Sequence, residues 1–188
     1  ILFGQITDTN TQWISTELTN IGIRTTRKSS VGDDEQAILN ILQEAETRAD
    51  VILITGGLGP TKDDITKKTL CKYFDTELYI NEDALTIITS FFVKRGRPMT
   101  ELNRQQAALP KNSTYIANHW GTAPGMWFER NGKVFISMPG VPFEMKNLMT
   151  NALLPKLQAF FETPVIHHKM LRTVGIGESF LAERIADW

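Results

Sequence analysis

The sequence predicts a three-layer α/β/α domain on a mostly parallel sheet, with a small C-terminal α+β appendage, and three observations predict it. Apolar residues recur at helical spacing in several separate segments. A short, uninterrupted apolar run, Val51-Ile52-Leu53-Ile54, stands between two of those segments, and an Asn-Gly pair flanked by apolar stretches marks the second half. A continuous apolar strand suits a sheet covered by helices on both faces, whereas a sheet with one wet face alternates. Strand alternating with helix then places the chain in the α/β class.

Taken in order, Trp13, Ile14, Leu18 and Ile21 share one helical face over residues 9–21, and Gly22 supplies the stop. Residues 23–31, rich in threonine and serine, are expected to form a strand. Asp33 or Asp34 then caps a helix whose apolar face is Ile38, Ile41, Leu42, Ala45 and Ala49. After the strand at 51–54, helical patterns cover 65–74, 82–94 and 101–109, the last closed by Pro110. Residues 126–129 and 133–138 flank Arg130-Asn131-Gly132 and are expected to pair as a hairpin. The amphipathic stretch 143–161 contains Pro155, which should kink it or begin a new helical turn.

A strand at 165–174 and a helix at 178–188 follow, set off by Thr163-Pro164 and Gly175-Ile176-Gly177. Residues 1–162 are therefore expected to form the main domain and 163–188 the start of a second, small one. Both ends of the chain are abrupt: ILFGQ reads as the tail of a strand, and nothing follows the last helix to pack against it. A piece of a longer polypeptide is the expectation.

Composition narrows the function classes. The 188 residues are 41% hydrophobic and 22% charged, enough for a sizeable core. Twenty Lys and Arg nearly balance 21 Asp and Glu without long like-charge runs, so direct nucleic-acid binding and attachment to an anionic membrane are not expected. The single Cys71 cannot form an internal disulfide, and no apolar run is long enough to span a membrane. A soluble cytoplasmic protein is the reading these features support.

The chemistry is expected in the loop after the 51–54 strand, because ligands in open α/β sheets gather beyond the carboxyl ends of strands. There Gly56, Gly57 and Gly59 can take positive φ and let backbone amides approach an anion, while Thr55, Thr61 and Thr66 add hydroxyls. Asp63 and Asp64 close the loop, and carboxylates beside a phosphate site imply a divalent cation between them. The spacing matches neither a P-loop nor a Rossmann fingerprint. The competing reading is a tight strand-to-helix turn with Asp63 as helix cap.

Asp33-Asp34 stands before another helix, where capping is the plainer explanation; neighbouring parallel strands would nevertheless bring Asp33 towards Asp64. The glycine- and proline-containing loops 119–125 and 138–142 also sit at strand ends and could help enclose a ligand. Cys71 reads as a small buried residue, His119 as a loop histidine, and Trp120 as the tryptophan whose loop could stack on an adenine ring. His167 and His168 would point to opposite faces of a strand, which argues against joint metal ligation.

Six pieces in this order carry a further resemblance: ILFGQITDTN (1–10), VGDDEQ (31–36), TGGLGPTKDDIT (55–66), GTAPGMW (121–127), MPGVPFEM (138–145) and RTVGIGES (172–179). Together they resemble the N-terminal domain of the competence-damage-inducible protein family CinA, over the whole chain. TGGLGP and PGVP are also similar to the wider molybdenum-cofactor-biosynthesis, MogA/MoeA-like fold. The resemblance implies a molybdopterin-binding-like domain in proteins that usually continue into a nicotinamide mononucleotide amidohydrolase domain. It implies metal-dependent ADP-ribose pyrophosphatase activity giving AMP and ribose 5-phosphate, and a homodimer. The alternative is a module that holds a nucleotide or pterin without turnover, or one that acts through protein partners.

On this resemblance Asp33 and Asp64 are the expected catalytic acids and, with Asp63, the ligands of a divalent ion (Mg, Mn or Co), with a monovalent cation as accessory. Thr55, Gly56, Gly57, Gly59, Gly121, Thr122, Pro139 and Gly140 are expected to hold phosphate or nucleotide, and Asn10 or Gln5 the ribose or metal-bound water. Two departures stand out. Family members usually begin with a strand and a Gly-Asp-Glu ahead of the segment that starts here as ILFGQ, and Met138 stands where leucine is more usual, a swap of similar volume.

Overall fold

The computed structural model describes residues 7–163 and 172–187. Helix α1 (Thr9–Asn20) starts where the Asp8 carboxylate accepts the Thr11 amide at 2.9 Å and buries Ile14 and Leu18. Helix α2 (Glu35–Arg48) starts on Asp34, whose side chain accepts the Ala37 amide at 2.8 Å. Strand β1 (Val51–Thr55), helix α3 (Thr66–Tyr73), strand β2 (Leu78–Ile80) and helix α4 (Glu82–Val93) follow. Next come the single turn α5 (Glu101–Arg104), strands β3 (Ala108–Pro110), β4 (Thr114–Ile116), β5 (Gly125–Arg130) and β6 (Lys133–Met138), and helix α6 (Pro142–Leu148). A π-helical turn, Met149–Leu153, leads into α7 (Leu154–Phe161), so Pro155 begins a new helical segment as its missing N–H dictates. Helix α8 (Glu178–Arg184) buries none of its residues.

The main sheet has the order β1-β6-β5-β4. Strands β1 and β6 run parallel, with Val51 opposite Val134 and Thr55 opposite Met138, while β6-β5 and β5-β4 are antiparallel. Asn131 and Gly132, at φ 54° and 74°, make the two-residue turn that joins β5 to β6. Helices cover both faces. Ile14 and Leu18 of α1 pack with Met145, Leu148 and Leu157 against Trp127, Val134 and Ile136 on one side. On the other, Ile38, Leu42, Leu70 and Ile88 from α2, α3 and α4 enclose Phe128 and Phe135. Each such fully buried large apolar side chain contributes about 1.5–3 kcal/mol.

Two sequence expectations give way. Residues 23–31 form no strand: Ile23 packs against the core, but from Thr26 onward the side chains are exposed and no described strand lies alongside to complete a ladder. The helix expected over 101–109 stops after α5 and one 3₁₀ turn at Gln105–Ala107, and β3 then pairs antiparallel with β2. Pro110 disfavours helical geometry at Leu109, and Ala107, Ala108 and Leu109 are all buried, so extended chain satisfies both demands. The strand expected at 165–174 lies, but for its last residues, outside the described residues, as do His167, His168 and Gln5.

Candidate functional site

Parallel pairing of β1 with β6 brings two loops side by side, 56–65 after Thr55 and 139–141 after Met138. The Gly56 amide donates to the Met138 carbonyl at 2.9 Å, and a Cβ on Gly140 would stand 3.2 Å from the Gly56 Cα, so the two loops touch through bare backbone. Between them and the 122–123 loop lies a cavity of about 310 Å³. Its walls are Gly56, Gly57, Leu58, Gly59 and Pro60 on one side and Pro139, Gly140 and Val141 on another, with Asp64, Gln106, Thr122, Ala123 and Glu144 completing it.

The glycines of this wall serve different ends. Gly56 and Gly57 adopt φ of 98° and 67°, a region side chains with Cβ avoid, and a Cβ on Gly57 would lie 2.0 Å from Thr66 Oγ1. Gly59 does not use the positive φ open to it; it is there for space, since its Cβ would lie 2.5 Å from Asp64 Oδ2. Asp64 is thus folded back onto its own loop. Its Oδ2 accepts from the Thr61 amide at 3.0 Å and the Thr61 hydroxyl at 2.5 Å. Burial works to raise the Asp64 pKa, but the hydrogen bonds from Thr61 and the Gly59 amide, with the charge of Lys67, outweigh it and hold the carboxyl below its ordinary value. An ionised carboxylate therefore faces the cavity at neutral pH.

Beneath the loop, the nearly buried Lys67 donates from Nζ to the Gln106 carbonyl at 3.0 Å. Burial depresses its pKa to about 8, against the opposing pull of Cys71 and Asp64. Cys71 is buried and burial pushes its thiol up, in keeping with a packing role. Glu144, in the first turn of α6, is held by Asn118, whose Nδ2 donates to Glu144 Oε2 at 2.7 Å and to the Ala123 carbonyl at 2.8 Å. Gly121 leaves room for that carboxylate, because a Cβ there would stand 1.9 Å from Oε2.

Of the residues named from sequence, the structure brings Gly56, Gly57, Gly59, Asp64, Thr122, Pro139 and Gly140 to one cavity. Asn10 stands next to it, donating from Nδ2 to the Gly140 carbonyl at 2.8 Å while its Oδ1 is buried without a partner. Gly121 acts behind the wall, through Glu144. Thr55, whose backbone pairs in the β1-β6 ladder, is not among the lining residues, nor are Asp33, Asp63 and Trp120. Asp33 and Asp63 are exposed, and the helix cap that the competing reading gave Asp63 is absent, α3 starting at Thr66 behind Ile65 without a side-chain cap. Among the described residues no group of three or more His, Cys, Asp or Glu is placed to hold a metal ion. Sequence reasoning missed Gln106 and Glu144, both of which sat inside helical patterns; the position of Glu144 two residues after the Gly-Val-Pro turn, at a helix start, was the available clue.

Fold and cavity together define a molybdopterin-binding-like α/β domain: residues 1–159 match the family described as "Probable molybdopterin binding domain". The chain is 55% identical over 188 residues to a CinA-like protein of Cytophaga hutchinsonii, covering all of this chain and 45% of the relative. It superposes with a TM-score of 0.75 on the crystal structure of CinA from Thermoplasma acidophilum, a protein of unknown function, at 35% identity over 84% of this chain and 91% of that one. The chain belongs to the CinA family. It spans a little under half the length of the curated relatives it matches. A molybdenum cofactor biosynthesis protein B shares the fold at 21% identity, with a TM-score of 0.55 over 84% of this chain and 87% of that one. Among the described residues no helix is long and apolar enough to cross a membrane.

Proposed function

We propose that this domain holds the diphosphate of a nucleotide in the glycine-walled cavity and, with a divalent cation, hydrolyses it, ADP-ribose and water giving AMP and ribose 5-phosphate. The observation that carries this reading is Asp64, an ionised carboxylate pinned inside a cavity walled largely by glycine backbone and apolar surface, with Gln106, Thr122 and Glu144 as its other polar side chains. The Gly57 amide and the bare Cα atoms of Gly56 and Gly59 let phosphoryl oxygens approach the backbone without intervening side chains, and the Thr122 hydroxyl adds a neutral donor.

A carboxylate with nothing cationic in the lining repels phosphate, so the donor set fits a divalent ion bound jointly by Asp64 and the ligand's own phosphates, as magnesium usually is. A cage made of protein ligands alone does not fit the described residues. When bound, such an ion neutralises charge developing on the phosphoryl oxygens and lowers the pKa of an attacking water. The chain's own part is to orient the diphosphate on the loop amides and to keep one carboxylate ionised beside it.

A second reading, a module that binds a nucleotide or pterin without turnover, is favoured by the position of Asp33 and Asp63 outside the cavity lining. Calorimetry with ADP-ribose, followed by an assay for AMP release with magnesium, manganese and cobalt, separates the two. Metal-stimulated AMP release that falls at least 100-fold in Asp64→Asn supports hydrolysis, a loss of about 3 kcal/mol in barrier lowering. Tight binding with no AMP from the unaltered chain supports the module instead.

A further inference from the structure

The two loops that wall the cavity meet as bare backbone, which has little of its own to hold it in place. Residues 139–141 are fastened at their ends, where the Gly56 amide donates to the Met138 carbonyl at 2.9 Å and the Met145 amide donates to the Val141 carbonyl at 3.0 Å. Between those points stands Gly140, where a Cβ would lie 3.2 Å from the Gly56 Cα, so no side chain interlocks the two loops there. Glycine also loses more conformational freedom on ordering than any other residue. A segment tied only at its ends would drift at its middle.

One side chain reaches that middle. Asn10 donates from Nδ2 to the Gly140 carbonyl at 2.8 Å, across 130 positions of sequence, and among the described residues no other side chain hydrogen-bonds residues 139–141. Its base is firm. Asn10 lies in the first turn of α1, a helix capped by Asp8 and seated in the core through Ile14 and Leu18, which pack with Met145 and Leu148 of α6. The peptide bonds are trans, so fixing the Gly140 carbonyl also fixes the plane of its bond to Val141, a residue of the cavity wall.

Folding alone does not account for this asparagine. Its Oδ1 is buried without a partner, and Asn10 is not among the residues that line the cavity. A buried oxygen left unpaired costs at least as much as one neutral hydrogen bond returns, and asparagine is a poorer helix former than alanine. The side chain is thus a poor stabiliser that happens to join a rigid helix to a glycine loop, and its use lies in where it puts that loop.

We propose that Asn10 is a positioning residue: it holds the Pro139-Gly140-Val141 wall against the glycine loop at Gly56 and so sets the width of the cavity, in place of the ribose or water contact expected of it. The proposal rests on the reading of this cavity as a ligand site. A ligand laid between the two loops then meets walls whose spacing is fixed before it arrives, which spares the cost of ordering them on binding.

The test compares wild type with Asn10→Ala and with the near-isosteric Asn10→Asp, which at neutral pH keeps the shape and loses the donor. Asn10→Ala is expected to melt within about 3 °C of wild type or above it. In proton–nitrogen spectra of the ligand-free chain the amides of Gly56, Gly140 and Val141 are expected to shift or broaden in both variants. Calorimetry is expected to show ADP-ribose binding about 10- to 100-fold more weakly to each. Unmoved resonances at these three amides, affinity unchanged from wild type, or a loss of affinity accompanied by a larger fall in the Asn10→Ala melting temperature, overturns the proposal. Wild type that binds no ADP-ribose sinks the nucleotide reading instead, and the ligand-free measurements then decide this inference alone: displaced amides at unchanged stability uphold it, and unmoved ones overturn it.

Discussion

The two ends of the sheet differ in how they treat polar groups. At the hairpin end Arg130 donates from Nε and Nη2 to Glu46 at 3.0 and 2.6 Å and from Nη1 to the Tyr73 carbonyl at 3.1 Å, while its guanidinium covers the rings of Tyr73 and Phe74. Lys133 donates to the Ala49 carbonyl at 2.9 Å. Bonds from α2, α3 and β5 thus meet in one satisfied network. At the opposite end, where β1 and β6 deliver their carboxyl termini, Asn10 and Gln106 each keep a buried oxygen without a partner, and two carboxylates face a cavity. A chain that pairs its charges at one end and leaves them open at the other has the arrangement that the proposed ligand site requires.

Matched substitutions at the two ends test this most severely. Gly57→Ala places a Cβ against Thr66 at positive φ, combining backbone strain with overpacking, and is expected to cost roughly 3 kcal/mol or more and to abolish ligand binding. Gly132→Ala has similar φ, at 74° against 67°, but open space around it. It should cost only about 1–2 kcal/mol and leave binding intact. Urea unfolding beside calorimetry measures both; equal costs would mean that the 56–65 loop relaxes freely and is not the rigid wall of a site.

Titration distinguishes the ends as well. Lys67, facing Asp64 and Cys71, has a folded pKa of about 8 against its ordinary 10.5. Between those values the unfolded chain binds more protons than the folded one, so the lysine's penalty is full below pH 8 and is relieved as pH rises towards 10.5. The relief amounts to about 3 kcal/mol. Unfolding free energies measured from pH 7 to 10.5 should rise relative to those of Lys67→Met, a comparison in which the thiol's own titration largely cancels. Parallel curves would show that the ammonium is not buried.

How much of this was legible in the sequence is best seen in its two acidic pairs. Asp33-Asp34 and Asp63-Asp64 look alike, each preceding a helix and each near glycine. Only Asp34 caps its helix, and only Asp64 lines the cavity. What separates them is a contact that local pattern does not contain, the glycine loop folding back on Asp64 where β6 runs alongside β1. The apolar periodicity revealed α1, α2, α3 and α4, and Asn131-Gly132 revealed the hairpin, because those features depend on near neighbours in the chain. Strands β2, β3 and β4 have three residues each, too few for any period to show. Gln106 and Glu144 escaped for a related reason: each is held at the cavity by a residue distant in sequence, Lys67 39 positions away and Asn118 26 positions away.

A modest effect, with none on binding, is expected from the ion pair at the hairpin end. Arg130→Ala leaves Glu46 and the Tyr73 carbonyl without their partner, but the pair is part-exposed, at 30% and 23%, which tempers the loss to about 2 kcal/mol. The Glu46 pKa is lowered chiefly by its hydrogen bonds from Arg130, with burial opposing and Tyr73 assisting. Its stabilisation is therefore full above the ordinary carboxylate range and is lost as pH falls through the lower, folded value. Wild type should lose stability on acidification more steeply than Arg130→Ala, while the two bind ligand equally at neutral pH. The clamp lies at the far end of strands β5 and β6 from the cavity, so a change in affinity would mean that strain passes along the sheet, and the division between a paired end that stabilises and an open end that binds would no longer hold.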